Sequence, residues 1–292
     1  MEKPDIGLVD GDAILFKAGF ANQKTVKGKF VSSNPPSYAF KTCKDLLVGI
    51  LKETEVDELK IFLADKEKSN FRYKVAKSAP YKANRKTQER PVLEKEIREY
   101  LIKNWDAYVV IGAEVDDALG IEQSDNTIIC SNDKDLDMIP GWHYDIDVGR
   151  KRTINGKEVI LKSYKKTKIY KVVDPGFLSL REQPNGKKIL IGAGQFWFCA
   201  QLLLGDSVDN IPSVAKGWGP VRVYNSLCGK EKGVNSQTYR QMFGMVWDIY
   251  KNEGRSQNLT IDEIRARIKE MAQLLWIKRK EKEKIFPEEW LI

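Results

Sequence analysis

The first half of the chain alternates short apolar runs with stretches of helical period. Ile6–Val9, Lys60–Ala64, Tyr108–Ile111 and Thr127–Cys130 are brief apolar runs bounded by polar residues. Runs of that length read as buried strands. Between the first two, Asn34 precedes Pro35, a capping residue followed by proline in the first helical turn. Tyr38, Lys41, Leu46, Leu47 and Ile50 then continue as a helix. Pro91 opens another, with Val92, Ile97, Tyr100 and Leu101 as its apolar stripe. Strands alternating with helices imply a mainly parallel sheet covered on both faces.

The pattern changes after residue 140. Asn155-Gly156 and Asn185-Gly186 each carry a hairpin signal, and Val159–Leu161 and Ile169–Val173 are strand-like. We read an antiparallel insertion or sheet edge, with basic side chains outward. From Gln195 onward the spacing is helical, over Phe196–Leu204, Val221–Leu227, Thr238–Tyr250 and Ile261–Ile277. No internal repeat or low-complexity linker interrupts the chain.

In parallel sheets, sites form at the carboxyl ends of strands. Four acidic groups stand there. Asp10 follows Ile6–Val9, and Asp65 follows Lys60–Ala64. Glu114, Asp116 and Asp117 follow Tyr108–Ile111, and Asp133 and Asp135 follow Thr127–Cys130. Parallel strands would bring all seven to one edge. Packed carboxylates raise one another's pKa unless cations intervene, and hard divalent cations take oxygen ligands. Two such ions about 4 Å apart activate water and stabilise both oxygens of a phosphodiester displacement. Asp206 and Asp209 add a pair spaced three apart, on one face if their segment is a helical turn. Asp133 and Asp206 could instead cap short helices.

Charge sharpens this picture. The 292 residues carry a net +8, but unevenly. Lys66 to Arg90 holds nine Lys/Arg against two acids, and Arg150 to Lys171 holds nine against one. The remainder is therefore acidic overall. Two basic stretches on an acidic body suit a protein that grips a phosphate backbone with one region and metal ions with another. Within the first stretch, Asn70-Phe71-Arg72-Tyr73-Lys74 and Tyr81-Lys82-Ala83-Asn84-Arg85-Lys86 interleave rings with cations. Cations neutralise phosphates and rings stack on unpaired bases. This segment reads as an arch or lid. Further on, Leu202–Leu204, Gly205 and Ile211-Pro212 lead to Lys216-Gly217-Trp218-Gly219-Pro220. That is a helix, a glycine-containing turn and a second helix, whose N–H groups would face a phosphate.

Other classes recede. The four cysteines lie far apart, with no Cys-x-x-Cys pair for zinc and no disulfide framework. The single histidine, His143, argues against histidine-based acid–base or triad chemistry. The first nine residues lack a signal-peptide core, and the most apolar run, Phe196–Leu204, is too short to span a bilayer. With 42% hydrophobic residues and seven tryptophans, the chain is built to bury a core in one large domain or two intimate ones.

Five segments, in order, resemble the flap endonuclease (structure-specific 5′ nuclease) family, notably bacteriophage 5′→3′ exonucleases and the 5′-nuclease domain of bacterial DNA polymerase I. They are Leu8-Val9-Asp10-Gly11, Phe71-Arg72 with Tyr81-Lys82-x-Asn84-Arg85, Glu114-Val115-Asp116-Asp117, Asn132-Asp133-Lys134-Asp135-Leu136, and Gly205-Asp206-x-x-Asp209-Asn210-Ile211-Pro212. The resemblance spans roughly residues 8–225. It implies an α/β, PIN-like core with a helical arch and a helix–three-turn–helix region. It implies that Asp10, Asp65, Glu114, Asp116, Asp117, Asp133, Asp135, Asp206 and Asp209 hold two Mg²⁺ or Mn²⁺ ions. Asp206 and Asp209 would serve mainly the second ion. By the same carry-over, Arg72, Lys82 and Arg85 are catalytic arch cations at the scissile phosphate. Tyr81, Lys216, Gly217 and Gly219 would contact DNA, and carbonyls near the Gly217 turn would hold K⁺. Three positions depart from the family: Lys66 follows Asp65 in place of glycine, Trp218 sits between Gly217 and Gly219, and Asp12 is an extra acid in a capping position.

The expected organisation is a core over 1–190, with an arch at about 66–104 and a basic hairpin insertion at about 148–190. A helical region over 191–292 would carry the DNA-binding motif at about 195–227. The expected activity is 5′→3′ exonuclease or flap endonuclease cleavage of DNA at a 5′ end, flap or duplex junction. It would leave a 5′-phosphate and a 3′-hydroxyl, in phage replication, primer removal or recombination. RNA–DNA hybrids and a replisome contact through the tail stay open. The chain is expected to be a monomer without membrane association, in the cytoplasm, that of the host if phage-encoded. The rivals are a non-catalytic DNA-junction-binding protein and a PIN-type ribonuclease.

Overall fold

The computed structural model describes residues 3–67, 69–87, 89–147, 151–154, 157–160, 168–183, 185–228 and 238–285. In chain order its elements begin β1 (Ile6–Asp10), α1 (Gly11–Ala21), β2 (Gln23–Val26), β3 (Lys29–Ser32), α2 (Pro36–Thr54) and β4 (Glu58–Ala64). There follow α3 (Arg72–Val75), α4 (Glu94–Trp105), β5 (Tyr108–Val110), α5 (Val115–Glu122), β6 (Thr127–Ser131) and β7 (Gly141–Asp145). Next are β8 (Lys151–Ile154), β9 (Lys157–Ile160), β10 (Ile169–Val172), β11 (Phe177–Glu182) and β12 (Lys188–Ala193). The chain continues with α6 (Gly194–Leu204), α7 (Pro220–Cys228), α8 (Tyr239–Ser256) and α9 (Ile261–Leu275). It divides into two compact units. Unit 1 comprises residues 1–69, 88–136 and 141–171; unit 2 comprises 70–87, 137–140 and 172–292.

Unit 1 is built on a six-stranded sheet in the order β10-β7-β6-β1-β4-β5. β1 pairs in parallel with β4 and with β6, β4 with β5, and β6 with β7. All four apolar runs are therefore strands, each within two residues of its expected bounds. Val9, Ile61, Leu63 and Ile128 from the sheet pack with Ile14 and Leu15 of α1, Leu47 of α2 and Ile97 and Leu101 of α4. α2 buries Ala39, Cys43, Leu47, Ile50 and Thr54, a one-face spacing. Its start differs in detail from the expected cap. Pro35 itself is the N-cap, with proline following it, and Asn34 lies one residue outside. Likewise α4 starts at Glu94, and Pro91 packs beside α1 instead of entering the helix. His143 on β7 is buried and stacked on Tyr170, a core role.

Of the two Asn-Gly signals, Asn155-Gly156 lies outside the described residues, between β8 and β9, which pair antiparallel. The basic side chains of 150–160 and residues 161–167 also lie outside them. The second signal sits in the turn joining β11 to β12, where Gln183 N–H donates to the Lys187 carbonyl at 2.8 Å. Beyond it, Phe196–Leu204 becomes the hub of unit 2. A helix apolar on all sides must be buried all round. α6 meets that demand by packing against α7, α8, α9, β11 and β12. The Tyr250 hydroxyl of α8 donates to the Leu202 carbonyl at 2.7 Å inside this core. All four cysteines are free and buried. Among the described residues no helix is long and apolar enough to cross a membrane.

The approach of α1 to the chain before α4 is set by one glycine. A Cβ built on Gly19 would collide with Pro91 Cβ and stand 2.8 Å from its Cγ. Gly19→Ala should therefore lower unfolding stability by about 1–3 kcal/mol, outweighing the roughly 1 kcal/mol gain in helix propensity. Urea unfolding checks this; an unchanged or higher midpoint would contradict the packing.

Candidate nuclease site

The carboxyl ends of β6, β1, β4 and β5 are consecutive in the sheet. At the usual spacing of about 4.8 Å, the outer two stand roughly 14 Å apart. All seven acids expected from the sheet lie at these ends, in the loops that follow or in the first helical turn after them. They are held by hydrogen bonds that the sequence motifs do not name.

Asp10 ends β1 and caps α1, accepting from Ala13 N–H at 3.1 Å. Its other oxygen accepts from the Ser131 hydroxyl at 3.0 Å. The same hydroxyl accepts from Asp133 N–H at 3.1 Å, so Ser131 joins the ends of β1 and β6. Asp133 Oδ1 then accepts from Asp135 N–H at 2.9 Å, and Asp135 pairs with Lys134 at 2.8 Å. Burial first, then the charges of Asp12 and Asp133, push the Asp10 carboxyl up to about 7. The bonds from Ala13 and Ser131 pull it partly back.

A second serine has the same role beyond the end of β4. Ser69 lowers the Asp65 pKa through its side-chain hydrogen bond, aided by Glu67 N–H at 3.1 Å. Ser69 Oγ also accepts from Gly112 N–H at 2.8 Å, in the loop that leads from β5 to Glu114. Glu114 is the N-cap of α5, and Asp117, buried, accepts from its N–H at 3.1 Å. Asp116 stands in the same first turn, partly exposed. Ser69 and Ser131 escaped the sequence reading, because a lone hydroxyl near an acid carries no signal of its own.

Asp12 also proves more than a cap. From the first turn of α1 it accepts from Ala64 N–H at 3.2 Å, tying α1 to the end of β4. Burial raises its pKa, against the Ala64 bond and the charges of Arg98 and Arg90. At the next strand end, Asp147 pairs with Lys17 and accepts from Asn132 at 2.6 Å, bracing the loop that holds Asp133.

Unit 2 holds the remaining candidates. Asp206 and Asp209 do not lie on a helical turn. Asp206 and Ile211 exchange backbone bonds of 2.9 and 2.7 Å, and the Asp206 side chain accepts from Val208 N–H at 2.7 Å. Short-range bonding by an aspartate competes with helix here, and Pro212 follows. Asp209 accepts from the Tyr81 hydroxyl at 3.0 Å, faces Lys82 Nζ at 3.5 Å and pairs with Arg85. Tyr81 is buried, its hydroxyl on Asp209, so its ring serves the core of this unit. Arg72 stands apart from Lys82 and Arg85. It is 1% exposed, with its guanidinium donating to the carbonyls of Leu274 at 3.0 Å and Trp276 at 2.7 Å. Its position is structural, because those bonds satisfy helix-end carbonyls. Within 70–87 the described helical structure is α3 and a 3₁₀ turn at Ala83–Thr87.

At the turn before α7, Lys216 and Gly217 are exposed and Gly217 has φ +87°, a conformation that favours glycine. Gly219 faces open space. Trp218, the departure from the family pattern, is buried, bonds Glu253 at 2.8 Å and carries Arg222 over its ring. A shallow depression of about 580 Å³ beside it is lined by Gly217, Gly219, Pro220, Val221, Arg222, Asn225 and Ser226.

The donor set at the sheet edge fits a hard divalent cation: all oxygen, charge-crowded, and in Asp10 held toward the neutral form. Among the described residues, no three carboxylate, cysteine or histidine side chains yet converge into a ready metal cage.

Comparison with known proteins identifies the class. The family model of the 5′-3′ exonuclease N-terminal resolvase-like domain matches residues 5–166, more than half of the chain. The chain belongs to this family and is a nuclease. No curated protein matches it in sequence. Among solved structures, it is similar to the bacteriophage T5 D15 protein co-crystallised with metal ions, at 16% identity and TM-score 0.44, covering 91% of this chain and 99% of that one. A second is the bacteriophage T5 D15 flap endonuclease pseudo-enzyme–product complex with DNA and metal ions, at 15% identity and TM-score 0.46, covering 92% and 98%. A third is a mutant T5 5′-exonuclease, at 14% identity and TM-score 0.44, covering 94% and 100%.

The elevated Asp10 pKa has a measurable consequence. The folded chain binds a proton that the unfolded chain releases between the ordinary carboxylate value and about 7. In that window the metal-free protein should lose stability as pH rises, by at most about 1.4 kcal/mol per pH unit. Asp10→Asn should flatten the slope. Urea unfolding in EDTA from pH 4 to 8 tests this; equal slopes in both proteins would contradict it.

Proposed function

We propose that the chain is a divalent-metal-dependent 5′→3′ exonuclease and flap endonuclease. It hydrolyses DNA at or near a 5′ end to a 5′-phosphate and a 3′-hydroxyl, in phage DNA replication, primer removal or recombination. The observation that carries this reading is the Asp10–Ser131–Asp133 join, flanked by the Ser69-tied loops of Asp65 and Glu114. Crowding of like charge at consecutive strand ends is unfavourable without cations, and it suits Mg²⁺ or Mn²⁺. Two such ions would activate water and stabilise the attacking and leaving oxygens.

The protein's own residues have distinct tasks. Asp10, Asp65, Glu114, Asp116, Asp117, Asp133 and Asp135 supply the oxygen ligands of unit 1, and Asp206 and Asp209 offer a further carboxylate pair in unit 2. Lys82 and Arg85, which neutralise Asp209, exchange that carboxylate for the phosphate of the substrate and stabilise its developing charge. Lys216 and the open backbone of Gly217 and Gly219 grip the duplex at the start of α7. No nucleophilic side chain is needed.

The test compares labelled 5′-flap DNA, blunt duplex and RNA hairpin, with Mg²⁺ and with EDTA. The flap and duplex should be cut and the hairpin spared, and EDTA should abolish cleavage. Asp133→Ala should reduce the rate by at least roughly 100-fold, the scale of a lost electrostatic contact. Near-wild-type cleavage by Asp133→Ala would sink the ligand assignment. Cleavage of the hairpin alone would favour a ribonuclease, and tight binding without cleavage a junction-binding protein.

A further inference from the structure

The basic segment 70–87 is anchored along its length within unit 2. Arg72 bonds the Leu274 and Trp276 carbonyls at the end of α9. Lys278 lies over the Phe71 ring at 4.6 Å. Glu270, on the inner side of α9 and 9% exposed, accepts from Lys77 N–H at 2.6 Å and Ser78 N–H at 2.7 Å through one oxygen. Its other oxygen accepts from the Ser78 hydroxyl at 2.8 Å. Further along, Lys82 N–H donates to the Asp209 carbonyl at 2.9 Å, and Lys82 has φ +53°. A lysine in that left-handed region is strained and persists only where its surroundings impose it.

A buried carboxylate is costly unless its oxygens are satisfied. Here three donors from one dipeptide satisfy Glu270. A glutamine could keep its oxygen on the two N–H groups and turn its NH₂ to the Ser78 hydroxyl, which can accept, so only loss of the polar end group removes all three bonds. Side chains that merely filled α9's inner face would be apolar, as Ile264, Ile268 and Met271 are. Glu270 instead spends a charge on the backbone four residues before Lys82.

We propose that Glu270 is a positioning residue for cleavage. Through Lys77 and Ser78 it fixes the backbone from which Lys82 and Arg85 reach the phosphate, so the C-terminal helix α9 sets the reactivity of the basic segment. This rests on the reading that Lys82 acts at the scissile phosphate, and the experiment separates the two.

Single-turnover cleavage of 5′-flap DNA and duplex affinity in EDTA are measured for the full chain and for Glu270→Leu, Lys82→Ala and the double variant. Glu270→Leu should slow cleavage roughly 10-fold or more while leaving affinity within about twofold, because small misplacement of a reacting group is expensive. Glu270→Asp should recover some of the rate. In the Lys82→Ala background, Glu270→Leu should cost nothing further, since both act through one group. Multiplying losses would show a general structural role and overturn the proposal. A wild-type rate for Glu270→Leu beside a slow Lys82→Ala would overturn the positioning alone. A wild-type rate for Lys82→Ala would overturn the reading of Lys82, and the proposal with it. Should Glu270→Leu fail to fold, Ser78→Ala removes a single donor and enters the same cycle. A wild-type rate for Ser78→Ala, or a loss that multiplies with that of Lys82→Ala, then overturns the proposal.

Discussion

Parallel strands end side by side, and in unit 1 four consecutive ends lead into carboxylates. Two unit charges about 5 Å apart repel by roughly 3 kcal/mol at an effective dielectric of about 20. Burial adds to that penalty at Asp10, whose carboxyl is pushed to about 7. The fold relieves the strain locally, with hydroxyls and backbone N–H groups. Ser131 serves Asp10 and Asp133, and Ser69 serves Asp65 and the loop before Glu114. This relief is partial, because the Asp10 carboxyl stays raised in spite of it.

Unit 2 solves a different electrostatic problem. Its segment 70–87 is rich in cations, yet several of its polar groups are committed to structure. Arg72 satisfies carbonyls at the end of α9, and Asn84 donates to the Ser207 carbonyl at 2.6 Å. Nearby, Arg279 pairs with Asp174 at 2.5 Å and bonds the Met138 carbonyl at 2.7 Å. Lys82 and Arg85 differ in that their partner is the Asp209 carboxylate. A basic sequence run thus divides into a cation bonded to buried carbonyls and cations paired with a carboxylate. Burial makes the distinction: Arg72 is 1% exposed, whereas Arg85 is exposed.

The strands were legible because strand periodicity and acid placement agree. Ile6–Val9 or Thr127–Cys130 has few alternatives once an acid follows each at the same phase. α6 was legible from its uninterrupted apolar run. What the sequence could not show is which partner each polar group takes. Arg72 stood beside Phe71 in a motif, and nothing local revealed that carbonyls 202 and 204 residues away would claim it. Asp206 and Asp209 have helical spacing, but the Asp206 side chain bonds Val208 N–H and closes a turn instead. Asp12 resembled a cap, and only the pairing of β1 with β4 brings Ala64 N–H to it. Long-range pairing decided the cases of Arg72 and Asp12, and local backbone bonding that of Asp206.

Acids from separate strand ends are proposed to act together as a cation site. Equilibrium dialysis of Mn²⁺ against the full chain at pH 7.5 tests this by counting bound ions without reference to cleavage. Saturable binding of about two ions per chain is expected, with at least one lost in Asp10→Ala. Absence of saturable binding, or an unchanged count in Asp10→Ala, would contradict it.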